Sequence, residues 1–262
     1  MGLTIATWNI NSVRLRQDLV LKLLKETGPD VLCLQEIKCT DEQFPGEAFA
    51  AIGYPHQVVR GQKAYNGVAV LSRAPIAEVE AFDMCGVGDA RHQLVEIDGR
   101  LRIHNFYVPA GGDEPDADRN PKFDHKLRFV DEMKDRLDRA QTASVLVGDL
   151  NIAPLEHDVW SHKQMLKVVS HTPAEVEKLS AAQDAGAWVD AARRFTPHEE
   201  KLYSWWSYRA RDWSASDRGR RLDHIWASPD LAAGLRSSVT LREVRGWEKP
   251  SDHAPVFATV DL

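Results

Sequence analysis

The stretch from Ser144 to Ile152, SVLVGDLNI, places two polar residues directly after an apolar run. Residues 144–147 are small or branched, which predicts a buried strand closed by Gly148. Asp149 and Asn151 follow at positions i and i+2, so an extended backbone would aim both side chains to one side. An α/β protein builds ligand sites at such sheet edges, but a strand followed by an Asp/Asn turn explains this fragment equally well.

Length and composition favour one soluble domain over residues 1–262. Hydrophobic residues make up 43% of the chain, which is ample for a large core. No apolar run reaches membrane-spanning length, and no signal-peptide pattern is present. The three cysteines lack CxxC spacing and suit a reducing cytoplasm. The net charge of −6 argues against DNA binding by charge alone.

Apolar periodicity predicts alternating strands and helices. Residues 3–10 alternate like a strand, leucines 15, 19, 23 and 24 mark a helix closed by Gly28, and residues 31–34 read as a second buried strand. This order predicts a crossover unit. Further along we expect a strand at 67–71, a hairpin at 94–108, a helix at 123–137, a helix from Thr172 to Gly186, short strands within 201–228 and a last strand at 254–260.

Polar side chains gather at the ends of these predicted strands: Asn9, Asn11, Glu36, Tyr107, Asp149, Asn151, Asp223 and the group Ser251-Asp252-His253. Each has an ordinary explanation, since strand ends are often solvated and a lone histidine is more often packed than catalytic. Their repeated position beside apolar strands makes chance grouping the weaker account. The sequence therefore favours a functional site at one edge of a sheet.

These residue types suit metal-assisted phosphate chemistry. Glu36 and Asp252 are hard oxygen ligands of the kind that Mg²⁺ prefers. His253 and Asp223 can form a pair in which the carboxylate fixes the tautomer of the imidazole. The asparagines and Tyr107 can donate hydrogen bonds to phosphate oxygens or to a developing charge.

The segment from Lys201 to Arg221 combines five aromatic residues with six basic residues and two acids. Basic groups hold phosphates and aromatic faces stack on bases, so this run favours a nucleic-acid substrate. The alternative is that the tryptophans are core residues. Trp205 and Trp206 are consecutive, and neighbours on a strand face opposite ways, so burial of both is less expected.

With these residues identified, the chain resembles the exonuclease III family of abasic-site endonucleases, within the endonuclease/exonuclease/phosphatase superfamily. The resemblance spans almost the whole chain, in the blocks ATWNIN (6–11), DVLCLQE (30–36), GVAVLS (67–72), NFYVP (105–109), GDLNIAP (148–154), RLD (221–223) and PSDHAP (250–255). It implies an α/β four-layer sandwich, with two mixed sheets packed face to face and flanked by helices.

The resemblance also implies roles for the matching residues. Glu36 would be the principal ligand of Mg²⁺, with Mn²⁺ as a substitute, and the remaining metal set would be Asn9, Asn11, Asp149, Asn151 and Asp252. Asp149 would orient or deprotonate the attacking water. Asn151 and the His253–Asp223 pair would stabilise the developing charge, and Tyr107 would contact the phosphate or the leaving oxygen.

The DNA-binding residues follow from the same match. Trp205, Trp206 and Leu222 correspond to the apolar pocket that receives a flipped abasic sugar. Arg91 and Lys122 stand where family members contact backbone phosphate, and Arg209 belongs to the basic run. Asn11 departs from relatives that carry a carboxylate there, which leaves the number of metal ions open. Residues 155–170 vary most between relatives, and we expect Trp160 to tune the balance of activities.

The expected function is that of a Mg²⁺-dependent DNA repair nuclease. It would cut 5′ to abasic sites, digest duplex DNA from 3′ ends and trim blocked 3′ ends, as a monomer in the cytoplasm at the nucleoid and without a membrane partner. A phosphodiesterase or phosphatase for lipid head groups or inositol phosphates is one alternative, but small phosphates do not need stacking platforms. A non-catalytic DNA-binding protein is the other, but none of the metal and water-activating groups is missing.

Overall fold

The chain begins with the predicted crossover unit. In the computed structural model, which describes residues 2–137 and 142–262, β1 (Gly2–Asn9) and β2 (Val31–Gln35) pair in parallel and α1 (Gln17–Thr27) connects them. The helix ends at Gly28, whose φ of 56° is the left-handed conformation that glycine adopts without a Cβ penalty. Leu15 precedes the helix and is 68% exposed, so its assignment to the helical face was wrong.

The remaining elements follow in chain order. The helices are α2 (Gly46–Ala50), α3 (Pro121–Arg136), α4 (His162–Met165), α5 (Pro173–Ala185), α6 (Ala191–Phe195) and α7 (Trp213–Ser216). The strands are β3 (His56–Arg60), β4 (Val68–Ser72), β5 (Ile76–Glu80), β6 (His92–Ile97), β7 (Leu101–Tyr107), β8 (Ser144–Asp149), β9 (Val189–Asp190), β10 (Trp205–Trp206), β11 (Gly219–Arg220), β12 (Asp223–Ala227), β13 (Leu235–Thr240) and β14 (Val256–Asp261). Short 3₁₀ turns cover Asp41–Gln43, Met84–Gly86, Glu156–Asp158, Pro229–Gly234 and Arg242–Gly246.

Two six-stranded mixed sheets form the centre of the fold, in the orders β13-β14-β1-β2-β4-β3 and β5-β6-β7-β8-β12-β9. Their facing sides share one apolar core, in which Ile5 and Val70 of the first sheet meet Val95 and Val147 of the second. α1 covers the outer face of the first sheet, and α3 and α5 cover that of the second. The predicted four-layer sandwich is confirmed.

Local sequence signals account for several boundaries. The β6–β7 hairpin turns at Asp98 and Gly99, both with positive φ, as the Asp-Gly pair predicts. Thr172 opens α5 with a complete capping box. β8 continues through Gly148 to Asp149, because Gly148 adopts a φ of 140° inside the strand rather than ending it. Among residues 2–137 and 142–262, no helix is long and apolar enough to cross a membrane.

Candidate active site

The topology brings the predicted polar residues to one edge of the sandwich. The parallel pairs β1–β2 and β7–β8 end there, while β12 and the segment before β14 begin there, because these two elements run antiparallel to their neighbours. Asp223 stands directly opposite Asp149 in the register of β12 and β8. The strand ends inferred from sequence thus converge in space.

Asp149 lies at the centre of this edge with only 1% of its surface exposed. Its Oδ2 accepts hydrogen bonds from Nδ2 of Asn9 at 2.9 Å and of Asn151 at 3.2 Å, and its Oδ1 accepts from the Asn151 amide at 2.9 Å. Burial raises the pKa of this carboxyl to about 7, and the nearby Asp223 adds to the effect while His253 opposes it. A carboxylate with a pKa near neutrality is suited to accept a proton from water.

His253 is held between two carboxylates. Its Nδ1 lies 2.8 Å from Oδ2 of Asp223, and its Nε2 lies 3.7 Å from Oδ2 of Asp149. Burial would lower the pKa of the imidazole, but Asp223 and Asp149 outweigh it and raise the pKa to about 10. Asp223 is itself oriented by the hydroxyl of Ser204 at 2.6 Å. The imidazole therefore keeps a proton at Nδ1 and directs Nε2 toward Asp149.

The Asn9 amide joins two acidic groups. Its Nδ2 donates to Asp149 and also to Oε1 of Glu36 at 3.1 Å, while its Oδ1 accepts from the backbone of Asn11. Tyr107 donates its hydroxyl to the same Oε1 of Glu36 at 2.5 Å. Asn9 and Tyr107 thus position Glu36. In this structure the Nδ2 of Asn9 and the hydroxyl of Tyr107 already donate to carboxylates and are not directed at a phosphate.

The residues around Glu36 fit a hard divalent cation. The ammonium of Lys38 stands 2.7 Å from Oε2 of Glu36 and 2.6 Å from Oδ1 of Asn11, so a positive charge already lies between two predicted ligands. Burial raises the pKa of Glu36, but Lys38 and the hydrogen bonds outweigh it, and the pKa stays below its ordinary value. Asp252 accepts from Asn11 at 3.1 Å and from the Trp205 indole at 2.9 Å. The oxygens of Glu36 and Asn11 already bind one cationic group, and an all-oxygen donor set is the kind that Mg²⁺ prefers.

A second group of potential ligand atoms comprises Asp149, Asp223 and His253, within 4.8 Å of one another. Asp223 and His253 already satisfy each other at 2.8 Å, which is the arrangement of an orienting carboxylate and its imidazole. We therefore favour the Glu36 side as the metal site. Asp149, which belongs to both sets, stands between the metal side and the imidazole side.

The resemblance implies two roles for Asn151, as a metal ligand and as a stabiliser of the developing charge, and the geometry favours the first. Its backbone φ is 53°, and its Nδ2 donates to the Val108 carbonyl at 2.9 Å as well as to Asp149. Both amide hydrogens are therefore engaged by protein acceptors, which leaves Oδ1 as the atom offered to a ligand. This arrangement favours holding water or a cation over stabilising an oxyanion.

A cavity of about 550 Å³ opens onto these groups. Glu36, Asp149, Asn151, Asp252 and His253 line it. The lining also includes apolar and cationic residues: Trp160, Val168, Trp205, Leu222, Arg209, Arg218 and Arg220. One cavity thus presents ionisable groups for chemistry and a wall suited to a sugar–phosphate chain.

The structure separates the two consecutive tryptophans. Trp205 lies on the cavity wall, whereas Trp206 is 1% exposed and packs with Tyr203 and Ala254 on the other side of β10. The prediction that Trp206 lines the cavity is therefore not supported by its position. Arg220, which the sequence placed only in the general basic run of residues 201–221, lies in this wall with its guanidinium 4.9 Å from the Trp205 ring.

The remaining predicted DNA contacts lie around the cavity. Arg209 is exposed at its rim. Lys122 is exposed in the first turn of α3, close to Gly112 of the cavity wall. Arg91 is set back, paired with Asp89 at 3.0 Å and stacked on the Tyr107 ring at 4.7 Å. Arg91 therefore supports Tyr107 in this structure.

Residues 6–253 match the endonuclease/exonuclease/phosphatase family, and the chain belongs to it. The sequence is 31% identical to exodeoxyribonuclease III of Haemophilus influenzae over 266 residues, which cover 96% of this chain and 97% of that protein. The fold matches an AP endonuclease from Archaeoglobus fulgidus with a TM-score of 0.92 and 32% identity, over 99% of this chain and 100% of that one. It also matches the 3′ phosphatase NExo from Neisseria, solved with a product DNA hairpin, with a TM-score of 0.88 and 32% identity over 99% and 100%.

The family inferred from sequence is therefore confirmed, and so is the prediction of a phosphodiester-hydrolysing enzyme. The roles of individual residues stay predictions that the geometry makes specific.

Proposed function

We propose that the chain is a Mg²⁺-dependent DNA repair nuclease that cuts 5′ to abasic sites, digests duplex DNA from 3′ ends and trims blocked 3′ ends. The observation that carries the proposal is that one cavity is lined by Asp149 and by His253, which is paired with Asp223, and also by Trp205, Leu222 and three arginines. Acid–base groups thus share a cavity with a surface that suits a sugar–phosphate chain.

The proposed chemistry assigns a task to each group. Asp149 orients the attacking water and accepts its proton, and the Asn151 Oδ1 helps to hold that water. His253, protonated and oriented by Asp223, donates from Nε2 to the oxygen on which negative charge develops. A divalent cation held by Glu36, Asp252 and Asn11 supplies further neutralisation of the phosphate charge when it is bound.

The apolar part of the wall explains how an abasic site would be recognised. Trp205 and Leu222 offer a surface to a sugar that has no base to keep it in the stack. The AP endonuclease and 3′ phosphatase among the structural relatives act, by their names, at such DNA lesions and ends. We propose double-stranded DNA as the partner of a monomeric, single-domain protein, acting in the cytoplasm at the nucleoid.

The test uses two labelled duplexes, one with a single internal abasic site and one intact with a recessed 3′ end. Each is incubated with the purified chain in Mg²⁺, in Mn²⁺ and in chelator. Metal-dependent incision at the abasic site and 3′ digestion of the intact duplex are expected. If only the intact duplex is digested, the proposal of incision at abasic sites is wrong. If neither duplex is cleaved, the proposal of a nuclease is wrong, and an enzyme for small phosphodiesters is favoured instead.

A further inference from the structure

A second pocket adjoins the reaction cavity and is not used by the mechanism above. It has a volume of about 540 Å³, and Trp206 and Trp213 lie among its lining residues with Arg209, Arg211 and Arg218. Arg209 and Arg218 also line the reaction cavity, so the two spaces are neighbours that share a cationic boundary. A group bound here would lie next to a group at the reaction centre.

Trp213 is held in place from several sides. Asp212 caps the short α7, its Oδ1 accepting from the backbone of Ser214 and Ala215 at 3.0 Å each. The Trp206 ring meets Trp213 edge-on at 5.2 Å. The guanidinium groups of Arg242 and Arg245 stand 5.4 Å and 5.5 Å from the Trp213 ring centroid. A ring fixed in this way loses little freedom when a planar ligand stacks on it.

We propose that this pocket binds an unpaired nucleobase of the DNA, beside the scissile phosphate, by stacking on Trp213. The inference rests on the proposed function and adds a substrate feature to it: a locally unpaired nucleotide next to the cut. Arg209 and Arg218, on the shared boundary, hold the phosphate that joins this nucleotide to the reacting one.

Size and charge favour this occupant. The volume falls in the range of small-ligand pockets and suits one nucleoside rather than a base pair. The three arginines outnumber the one acid, Asp212, whose carboxylate already accepts hydrogen bonds within α7. Arginine matches phosphate geometry with its planar fork, and base–aromatic stacking tolerates any sequence. A duplex with every base paired would leave the Trp213 wall without a partner.

The experiment measures DNA binding in chelator, so that nothing is cut. Two duplexes carry 2-aminopurine next to the same abasic site and differ only in whether that nucleotide has a pairing partner. The wild-type chain is expected to bind the unpaired duplex about 10-fold more tightly, which corresponds to ~1.4 kcal/mol, and to quench its fluorescence. Trp213→Ala should remove both differences and leave affinity for the paired duplex within about 2-fold.

Trp247→Ala is the matched control, because Trp247 is a half-buried tryptophan that stacks with Lys22 and lines neither pocket. The Trp247→Ala variant should still bind the unpaired duplex more tightly than the paired one. If Trp213→Ala does not fold, Arg211→Ser serves instead, since Arg211 is exposed and lines only the second pocket. Its control is Arg236→Ser, an exposed arginine paired with Asp261.

Two results overturn the inference. The first is equal affinity of the wild-type chain for the two duplexes. The second is an equal loss of affinity for both duplexes in Trp213→Ala, since this would show that Trp213 only packs the loop. A wild-type chain that cuts the abasic duplex in Mg²⁺ without this preference refutes the pocket but keeps the proposed function. Failure to bind or cut any duplex contradicts both.

Discussion

The ammonium of Lys126 lies 2.8 Å from the main-chain oxygen of Asn151, at a position where Lys126 has no exposed surface. Glu175 balances the charge at 2.5 Å, and its two oxygens also accept from the backbone of Ser170 and Thr172. The buried pair therefore ties α3 and α5 to the loop that carries Asn151. The Lys126–Glu175 pair fixes the turn beside Asp149, although both side chains are buried away from solvent.

Lys126→Met is expected to destabilise the fold by about 3–5 kcal/mol, because it leaves the Glu175 carboxylate buried without its cation. Urea denaturation measures this loss. The matched control is Lys178→Met, which removes an exposed pair with Asp131 between the same two helices and should cost about 0–1 kcal/mol. Similar small losses in both variants would show that the buried pair does not hold the loop.

The two tryptophans of β10 are expected to differ. Trp205→Ala removes part of the cavity wall, so incision at abasic sites should fall more than digestion of an intact duplex. Trp206→Ala empties a buried site and should instead lower stability by about 3–5 kcal/mol, with both activities affected alike. Rates on the two duplexes, with melting curves for both variants, check this. Selective loss of incision in Trp206→Ala would contradict the positions seen here.

Trp160 is expected to set the ratio between abasic incision and 3′ digestion. It lines the cavity, and the Arg218 guanidinium stands 4.6 Å from its ring, so the two form a bulky, cationic part of the wall. Trp160→Gly should open the wall and shift the ratio toward abasic incision by several-fold. Both rates are measured on the same enzyme preparation. If the ratio of abasic incision to 3′ digestion is unchanged, Trp160 does not set the balance between the two activities.

Buried neutral histidines predict a loss of stability in mild acid. His92 Nδ1 accepts from the Phe82 amide, so its Nε2 must donate to Nδ1 of His104 at 3.2 Å. Burial lowers the pKa of His104 to about 4, and Arg102 adds to the effect. The unfolded chain, with a histidine pKa of about 6.5, binds a proton at this side chain before the folded chain does. The contribution of His104 to stability is therefore fully present above about pH 6.5 and falls toward pH 4, by on the order of 3 kcal/mol.

The urea midpoint of unfolding, measured between pH 7.5 and pH 4.5, tests the direction of this change in stability. His104→Gln keeps an acceptor for His92 and should flatten the decline. His198→Gln, at an exposed position, should leave the slope of the wild-type chain unchanged. A slope in His104→Gln as steep as in the wild type would show that His104 does not titrate in this range.

Much of the site could be predicted from sequence, because its polar residues directly follow or precede strongly apolar strands. A carboxylate, amide or imidazole is easily recognised in such a position. Lys126 did not stand out, since a lysine on an amphipathic helix is normally solvated and its partner Glu175 lies 49 residues away. The one-residue alternation of a strand left open which of Trp205 and Trp206 faces the cavity. The answer depends on how β10 pairs with β11 and bridges to His253, which are long-range contacts. Edge strands such as β5 and β13 have largely exposed residues, so their pattern gave no periodic signal.

The most direct test of the central claim compares DNA binding with cleavage in Asp149→Asn. The amide keeps the size of the side chain but cannot accept the proton of water, so affinity for the abasic duplex in chelator should stay within a few-fold of wild type. Turnover in Mg²⁺ should fall by about 10³-fold, and His253→Ala should show a similar loss. Turnover in Asp149→Asn close to that of the wild-type chain would contradict the account, because the reaction would then not depend on this carboxylate.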